Sequence, residues 1–248
     1  MSRYDFTAQR LFVEDDLAAG SDVVAGPEQA NYLCNVLRLA AGASILLFNG
    51  RDGEWQATLA QRTKRSVTLR VEKRTRPQEA GPDIDYLFAP LKRSRLDYMV
   101  QKATEMGAAR LRPVLTRRTV AERVNIERLR ANAIEAAEQC GILRVPSVLA
   151  PERLDAVTAA WDPSRTLVFC DEDAEVANPL AALGAAGSAR RPLALLIGPE
   201  GGFDPAERNA LLTLPGVLRL SLGPRILRAD TAAVAALALL NATLGDWR

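Results

Sequence analysis

Residues 195–210 read LLIGPEGGFDPAERNA: an apolar run stops at Gly198-Pro199-Glu200-Gly201-Gly202, and a helical pattern starts again at Asp204. Asp204 can accept from the orphan N–H groups of a helix start, Pro205 suits the first helical position, and Glu207 completes a D-x-x-E capping arrangement. Residues 198–203 therefore form a strand-to-helix loop at the carboxyl end of a strand, the edge where open α/β sheets bind ligands. The loop is not G-x-G-x-x-G and lacks the Lys-Ser/Thr of a P-loop, which disfavours dinucleotides and nucleoside triphosphates. Glu200 argues against a phosphate ligand and for a cationic or hydroxylated one. Ordinary turns also use such glycines, so this motif alone leaves turn and ligand loop both open.

A second stretch, LSLGPRILRADT at residues 220–231, repeats the design. A strand leads to Gly223-Pro224, then to Arg225 and Arg228, and Asp230-Thr231 heads an apolar helix for which Asp230 is the expected N-cap. Two arginines beside a glycine turn at a strand's carboxyl end are more than a turn requires.

Strand-like and helix-like runs alternate upstream of these loops. Tyr86–Ala89 precedes a helix from about Ser94 to Met106, and Leu111–Leu115 precedes a helix from Ile126 to Cys140 with Ile126, Leu129, Ala133, Ala136 and Cys140 on one stripe. Leu167–Cys170, Leu193–Ile197 and Val217–Leu220 are further buried strands, which predicts an α/β domain with a mostly parallel sheet over 83–248. Before it, Ser44–Asn49, Glu54–Gln61 and Val67–Lys73 read as a β-meander with a short helix at Asn31–Leu39, a small barrel or sandwich over 1–73. The Pro/Gly-containing stretch 74–82 (RTRPQEAGP) is read as the linker.

Composition narrows the chemistry. The 248 residues contain no histidine and three widely spaced cysteines, which removes Ser-His-Asp triads, Cys-His nucleophiles and the usual zinc sites. No apolar run reaches the roughly 18–20 residues of a membrane span, and the start MSRYDFTAQR lacks a signal-peptide core, so a cytoplasmic protein is expected. The net charge of +2 is unevenly spread: Arg62–Arg76 and Lys92–Arg130 are basic, while Ala150–Arg248 is slightly acidic. Basic stretches suit a phosphate backbone, and a plain solvated face fits the charge count equally well.

Taken together, IGPEGGFDPAE and LSLGPRILRADTA resemble the paired C-terminal signatures of the RsmE-type SPOUT methyltransferases. The likeness continues through PLKRSRLDYMVQKATEMGAARLRPVLTRRT, IEAAEQCGILRVP, RLFV and NYLCNVLRL, and so covers nearly the whole chain. Three positions depart from the family pattern. Asn31 stands where His is usual, Asp230 where Glu is usual, and Cys140 where Ser is common. A histidine at position 31 is thus dispensable if the protein is active, and Asp at 230 keeps a helix-capping carboxylate.

The resemblance implies a PUA-like barrel followed by a SPOUT domain whose last elements thread a trefoil knot. It also implies a homodimer and methylation of N3 of a uridine in bacterial 16S rRNA, within a small-subunit particle, with S-adenosylmethionine and no metal. The cofactor pocket it implies contains Phe169, Asp171, Leu196, Ile197, Gly198, Pro199, Glu200, Gly201, Gly202, Leu220, Leu222, Gly223, Ile226, Leu227 and Thr231. Arg228 is assigned as the electrostatic stabiliser of the deprotonating imide and Glu200 as base or orienting group, with a loop-shaping pair between Arg228 and Glu200 or Asp230 as the plain alternative. Lys92, Arg93, Arg95, Arg117 and Arg118, with Arg10 and Arg38 from the barrel, are assigned to RNA phosphates. A SPOUT enzyme for another base or for ribose, or a non-catalytic RNA-binding assembly factor, would share these motifs.

Overall fold

Separate hydrophobic clusters organise the chain in the computed structural model, which describes residues 8–63, 65–120, 123–175, 178–185 and 192–247. The contacts divide it into two units, Met1–Ala80 with Ala137–Val145, and Gly81–Ala136 with Pro146–Arg248.

The first unit is a five-stranded sheet in the order β1-β3-β4-β5-β2, formed by β1 (Arg10–Phe12), β2 (Asp22–Ala25), β3 (Ser44–Phe48), β4 (Glu54–Arg62) and β5 (Val67–Arg76). β1 runs parallel to β3, and the other pairings are antiparallel. Alternation in β5 turns Val67, Leu69 and Val71 onto a core shared with Leu11, Val23, Ile45, Leu47 and Leu59. The short helix begins earlier than its sequence suggests, as α1 (Pro27–Asn31), and passes into a π-helical turn at Tyr32–Val36. Arg38, at φ 56°, ends it in the left-handed region.

Two boundaries differ from the sequence reading. β5 continues to Arg76, inside the expected 74–82 linker, because Arg74 and Arg76 pair across the ladder with Trp55 and Glu54. Residues 137–145 group with the first unit, because Ala137 and Leu143 are buried with Phe48, and the Phe12 N–H donates to Glu138 Oε1 at 2.8 Å. A buried polar cluster completes this unit. Glu54 accepts from Arg10 Nε at 3.0 Å and from Arg76 Nη2 at 2.5 Å, and Arg76 Nη2 also donates to the Gly141 carbonyl at 2.9 Å.

The second unit is a parallel sheet in the order β12-β10-β11-β6-β7-β8, with β9 (Glu152–Arg153) also on β7. Its strands are β6 (Ile84–Phe88), β7 (Arg110–Leu115), β8 (Ser147–Val148), β10 (Thr166–Cys170), β11 (Leu193–Ile197) and β12 (Val217–Leu220). β6 and β11 are buried at every position; β11 accordingly reads as an unbroken apolar run, whereas β6 contains Asp85, buried and paired with Arg110 and Arg112. The helices are α2 (Arg93–Glu105), α3 (Ile126–Cys140), α4 (Leu154–Ala159), α5 (Pro179–Ala185), α6 (Pro205–Leu212) and α7 (Ala229–Thr243). One face of the sheet, with Leu87, Phe169, Ala194 and Leu196, packs against Leu154, Val157 and Leu211 from α4 and α6. Among the described residues, no helix is long and apolar enough to cross a membrane.

Candidate active site

β10, β11 and β12 lie side by side, and their carboxyl ends open into a cleft of about 780 Å³. The glycine loop that follows β11 forms one wall. Its helix start is as the sequence predicts: Asp204 Oδ1 accepts from Ala206 N at 3.0 Å, and Asp204 N donates to Glu207 Oε2 at 3.2 Å, closing a capping box on α6. Within the loop the Gly202 N–H donates to the Pro199 carbonyl at 2.9 Å, and Gly202 sits at φ 68°, where a side chain would be strained.

The loop after β12 forms the facing wall. Gly223 lies at φ 99°, and a Cβ there would meet no protein atom within 4 Å, so its missing side chain leaves backbone open to a ligand. α7 starts at Ala229 with Arg228 as its N-cap residue, and no side chain caps it. Asp230, expected as the cap, is one residue inside the helix, where its Oδ1 accepts from Thr231 N at 2.8 Å.

Most residues assigned to the pocket by sequence line this cleft. Asp171, Ile197, Gly198, Pro199, Glu200 and Gly202 come from the β10 and β11 ends, and Leu220, Leu222, Gly223, Ile226, Leu227 and Arg228 from the β12 end. Four do not line it. Phe169 and Leu196 belong to the core against α4 and α6, because strand alternation points them away from the neighbours that reach the cleft. Gly201 turns toward Arg118, and Thr231 is exposed on the first turn of α7.

The sequence reading missed Arg208 and Arg219, which fix the cleft's acidic corner. Arg208 Nε and Nη2 donate to Asp171 at 3.1 and 2.9 Å, and Arg219 Nε donates at 2.8 Å. Burial pushes the Asp171 carboxyl up, but the hydrogen bonds from both arginines outweigh it and hold the group below its usual 3.8. Arg219 stands on β12, three residues before the Leu-Gly-Pro turn, a position that carries no motif signal.

Cys170 also lines the cleft, and burial pushes its thiol up to about 12, so it is no thiolate nucleophile. Among the described residues, no group of three or more Cys, Asp and Glu is placed to hold a metal ion.

Glu200 and Arg228, the two residues assigned to chemistry, have different surroundings. Both Glu200 oxygens are engaged by Arg95, Oε1 by Nη1 and Oε2 by Nη2 at 3.3 Å. Glu200 is therefore held by an arginine from α2, a contact the sequence reading did not give it. Arg228 is exposed at the cleft lip, and among the described residues its guanidinium has no hydrogen bond or ion pair with Glu200, Asp230 or any other group.

The cations assigned to RNA also divide. Arg10 is 6% exposed and paired with Glu54, so it is a core ion pair and not a surface cation. Arg38 and Lys92 are exposed, while the Arg93 side chain lies outside the described residues. Arg117 Nη1 donates to Asp204 Oδ1 at 2.9 Å, and Arg118 Nη1 to the Gly201 carbonyl at 2.7 Å.

This parallel sheet, with its two glycine-proline loops at one edge, has the architecture of a SPOUT-class RNA methyltransferase domain. A family model described as an RNA methyltransferase domain matches residues 78–241, and one described as an RNA methyltransferase PUA domain matches residues 24–72. The ribosomal RNA small subunit methyltransferase E of Rickettsia conorii is 29% identical over 92% of this chain and 93% of its own. Its Synechocystis counterpart is 30% identical over 96% of this chain and 78% of its own. The Neisseria gonorrhoeae enzyme of that name, solved bound to S-adenosylmethionine, superposes with a TM-score of 0.85 at 25% identity, covering 97% of this chain and 100% of its own. A Legionella pneumophila protein solved with the same cofactor gives 0.81 at 29% identity, covering 96% and 99%. The chain belongs to the ribosomal RNA small subunit methyltransferase E family.

Proposed function

We propose that the protein transfers a methyl group from S-adenosylmethionine to N3 of a specific uridine in 16S rRNA, as a homodimer acting in the cytoplasm on a small-subunit particle. The observation that carries this reading is the exposed, unpaired Arg228 guanidinium at the lip of the cleft between the two loops. Solved relatives of the same fold hold S-adenosylmethionine, and the cleft's chemistry fits that ligand. Its volume lies in the range of small-molecule sites, Ile197, Leu220, Leu222 and Leu227 give apolar wall, and open backbone at Gly223 can meet the adenine or ribose. Among the described residues the lining carries five carboxylates against three arginines and no lysine, a balance that tolerates a sulfonium cation.

When bound, S-adenosylmethionine supplies an electrophilic methyl group, and the protein's own residues prepare the nucleophile. Uridine N3 is an imide that must lose its proton, which passes to water, before it attacks. Arg228 holds a fixed positive charge for the oxygen on which the resulting negative charge develops, and with no partner of its own it needs no bond broken to do so. Asp171, clamped by Arg208 and Arg219, and the capped loop 198–204 keep the walls in place, so the reacting groups meet in one orientation. Exposed Lys92 and Arg38 give the RNA phosphate contacts that position the strand and make binding salt-dependent. On α7, Val234 and Leu239 are only half-buried in the single chain, which supports a second copy covering them. The trefoil threading of the last elements is part of the same reading.

The test combines labelled S-adenosylmethionine, small-subunit particles from a strain lacking the gene, and mapping of the modified base. Methylation at uridine N3 by the wild type is expected. Arg228→Ala should lower turnover by about 10²–10³, the cost of losing one preorganised donor, while retaining affinity for the demethylated cofactor product. An N3 mark that persists in the deletion strain overturns the substrate, and unchanged turnover in Arg228→Ala overturns its role.

A further inference from the structure

Three arginines from two separate segments hold the glycine loop from outside the cleft. Arg95, on the first turn of α2, grips the Glu200 carboxylate with two nitrogens. Arg118, in the turn after β7, donates to the Gly201 carbonyl at 2.7 Å, and Arg117 beside it binds the Asp204 side chain at 2.9 Å. The Arg117 N–H also donates to Glu207 Oε1 at 2.8 Å, so the capping box itself is tied to that turn. A run of Gly-Pro-Glu-Gly-Gly has few side chains with which to define its own shape, and glycine loses more freedom on ordering than any other residue. Tie points at 200, 201 and 204 supply that definition from the neighbouring elements. The Arg95 guanidinium is pushed up chiefly by its hydrogen bonds to Glu200, with the charges of Glu200 and Asp230 adding to the effect and desolvation opposing it.

We propose that Arg95 is a positioning residue for the cofactor loop, acting through Glu200, and that Glu200 is its tether and not a catalytic base. This rests on the reading that the cleft binds S-adenosylmethionine. Arg95 and Glu200 are 30% and 48% exposed as side chains, so water and salt screen the pair, and a planar bidentate contact is what makes it more than a surface ion pair. Lysine can supply only a point charge, and therefore only part of the effect.

The experiment is calorimetry of S-adenosylhomocysteine binding to the whole protein without RNA, for wild type, Arg95→Ala, Arg95→Lys, Glu200→Gln and the Arg95→Ala/Glu200→Gln double variant. Each single removal is expected to weaken binding about fivefold, and the double no more than either single, because the two side chains act as one unit. Arg95→Lys should recover part of the loss. Wild-type affinity should fall with added salt, and Arg95→Ala should lose that dependence. Melting curves on the same samples check that folding is intact, as the part-exposed positions lead one to expect. An Arg95→Ala affinity within about twofold of wild type, even with weakened RNA binding, overturns the proposal and leaves Arg95 a phosphate contact; so does an additive double variant. Failure of the wild type itself to bind S-adenosylhomocysteine overturns the cofactor reading and this inference with it, and the two failures differ in which protein shows them.

Discussion

Gly198 is the residue at which the glycine loop has no room to give. A Cβ built there lies 2.5 Å from Cε2 of Phe203 and 3.0 Å from two further ring carbons, against about 3.4 Å for ordinary contact. The ring must therefore retreat by about 0.9 Å in Gly198→Ala. It cannot do so freely, because it stands edge-on to the fully buried Phe169 with centroids 5.2 Å apart, inside the α4/α6 core. Forcing an extra carbon into such a core costs about 1–3 kcal/mol, and disrupting the aromatic pair falls within that range. A destabilisation of about 2 kcal/mol lowers the melting temperature of a domain this size by roughly 4–8 °C. The displaced ring also shifts the loop wall, so S-adenosylhomocysteine affinity falls in the same variant. Scanning calorimetry with and without that ligand measures both effects. A melting temperature within about 1 °C of wild type, with affinity unchanged, would falsify the claim that Phe203 sets the loop.

The remaining predictions concern ion pairs and caps. Glu54→Ala strands Arg10, itself 6% exposed, and should cost about 3–5 kcal/mol in urea unfolding of the first unit; a loss under about 1 kcal/mol shows that the buried cluster contributes little. Burial pushes the Glu54 carboxyl up, while hydrogen bonds from Arg76 and Thr75 and the charge of Arg76 hold it net below 4.5. Its folded-state value is thus depressed, as is that of Asp171 below 3.8, so their stabilisation is complete above those values and disappears as pH falls through the lowered ones. An acid titration of stability should steepen below about pH 4.5, and a Glu54→Gln/Asp171→Asn variant should flatten that limb. Asp204→Ala removes the α6 cap and the Arg117 contact and should cost about 1 kcal/mol, read by the same urea titration.

Features governed by local periodicity were legible in the sequence. β11 at Leu193–Ile197 and α3 at Ile126–Cys140 have the bounds their patterns indicate, because a doubly covered strand is an apolar run and a packed helix shows a stripe; the stripe itself holds at Leu129, Ala133 and Ala136, but Cys140, placed on it by spacing, is exposed and Ala137 is the buried residue at that end. The α6 capping box is written in four consecutive residues. Short strands such as β1 and β2 are too brief for alternation to register, and the missed Arg208, Arg219 and Arg95 contacts join residues far apart in the chain. Arg10 misleads for a related reason. Its charge is visible in sequence, whereas the carboxylate that draws it inside is supplied 44 residues later.

The return of residues 137–145 to the first unit has a consequence for how such proteins diversify. The helix that carries Ala137 begins in the second unit, so the boundary falls within one continuous helix and not in a loop. A gene fusion that exchanged only the first 80 residues would import a sheet with no counterpart for Glu138 or the Gly141 carbonyl, and would strip Leu143 of Phe48. The first unit is therefore not a cassette: recombination can replace it only together with a nine-residue insert from the middle of the gene, which binds the two segments of this unit to a common inheritance.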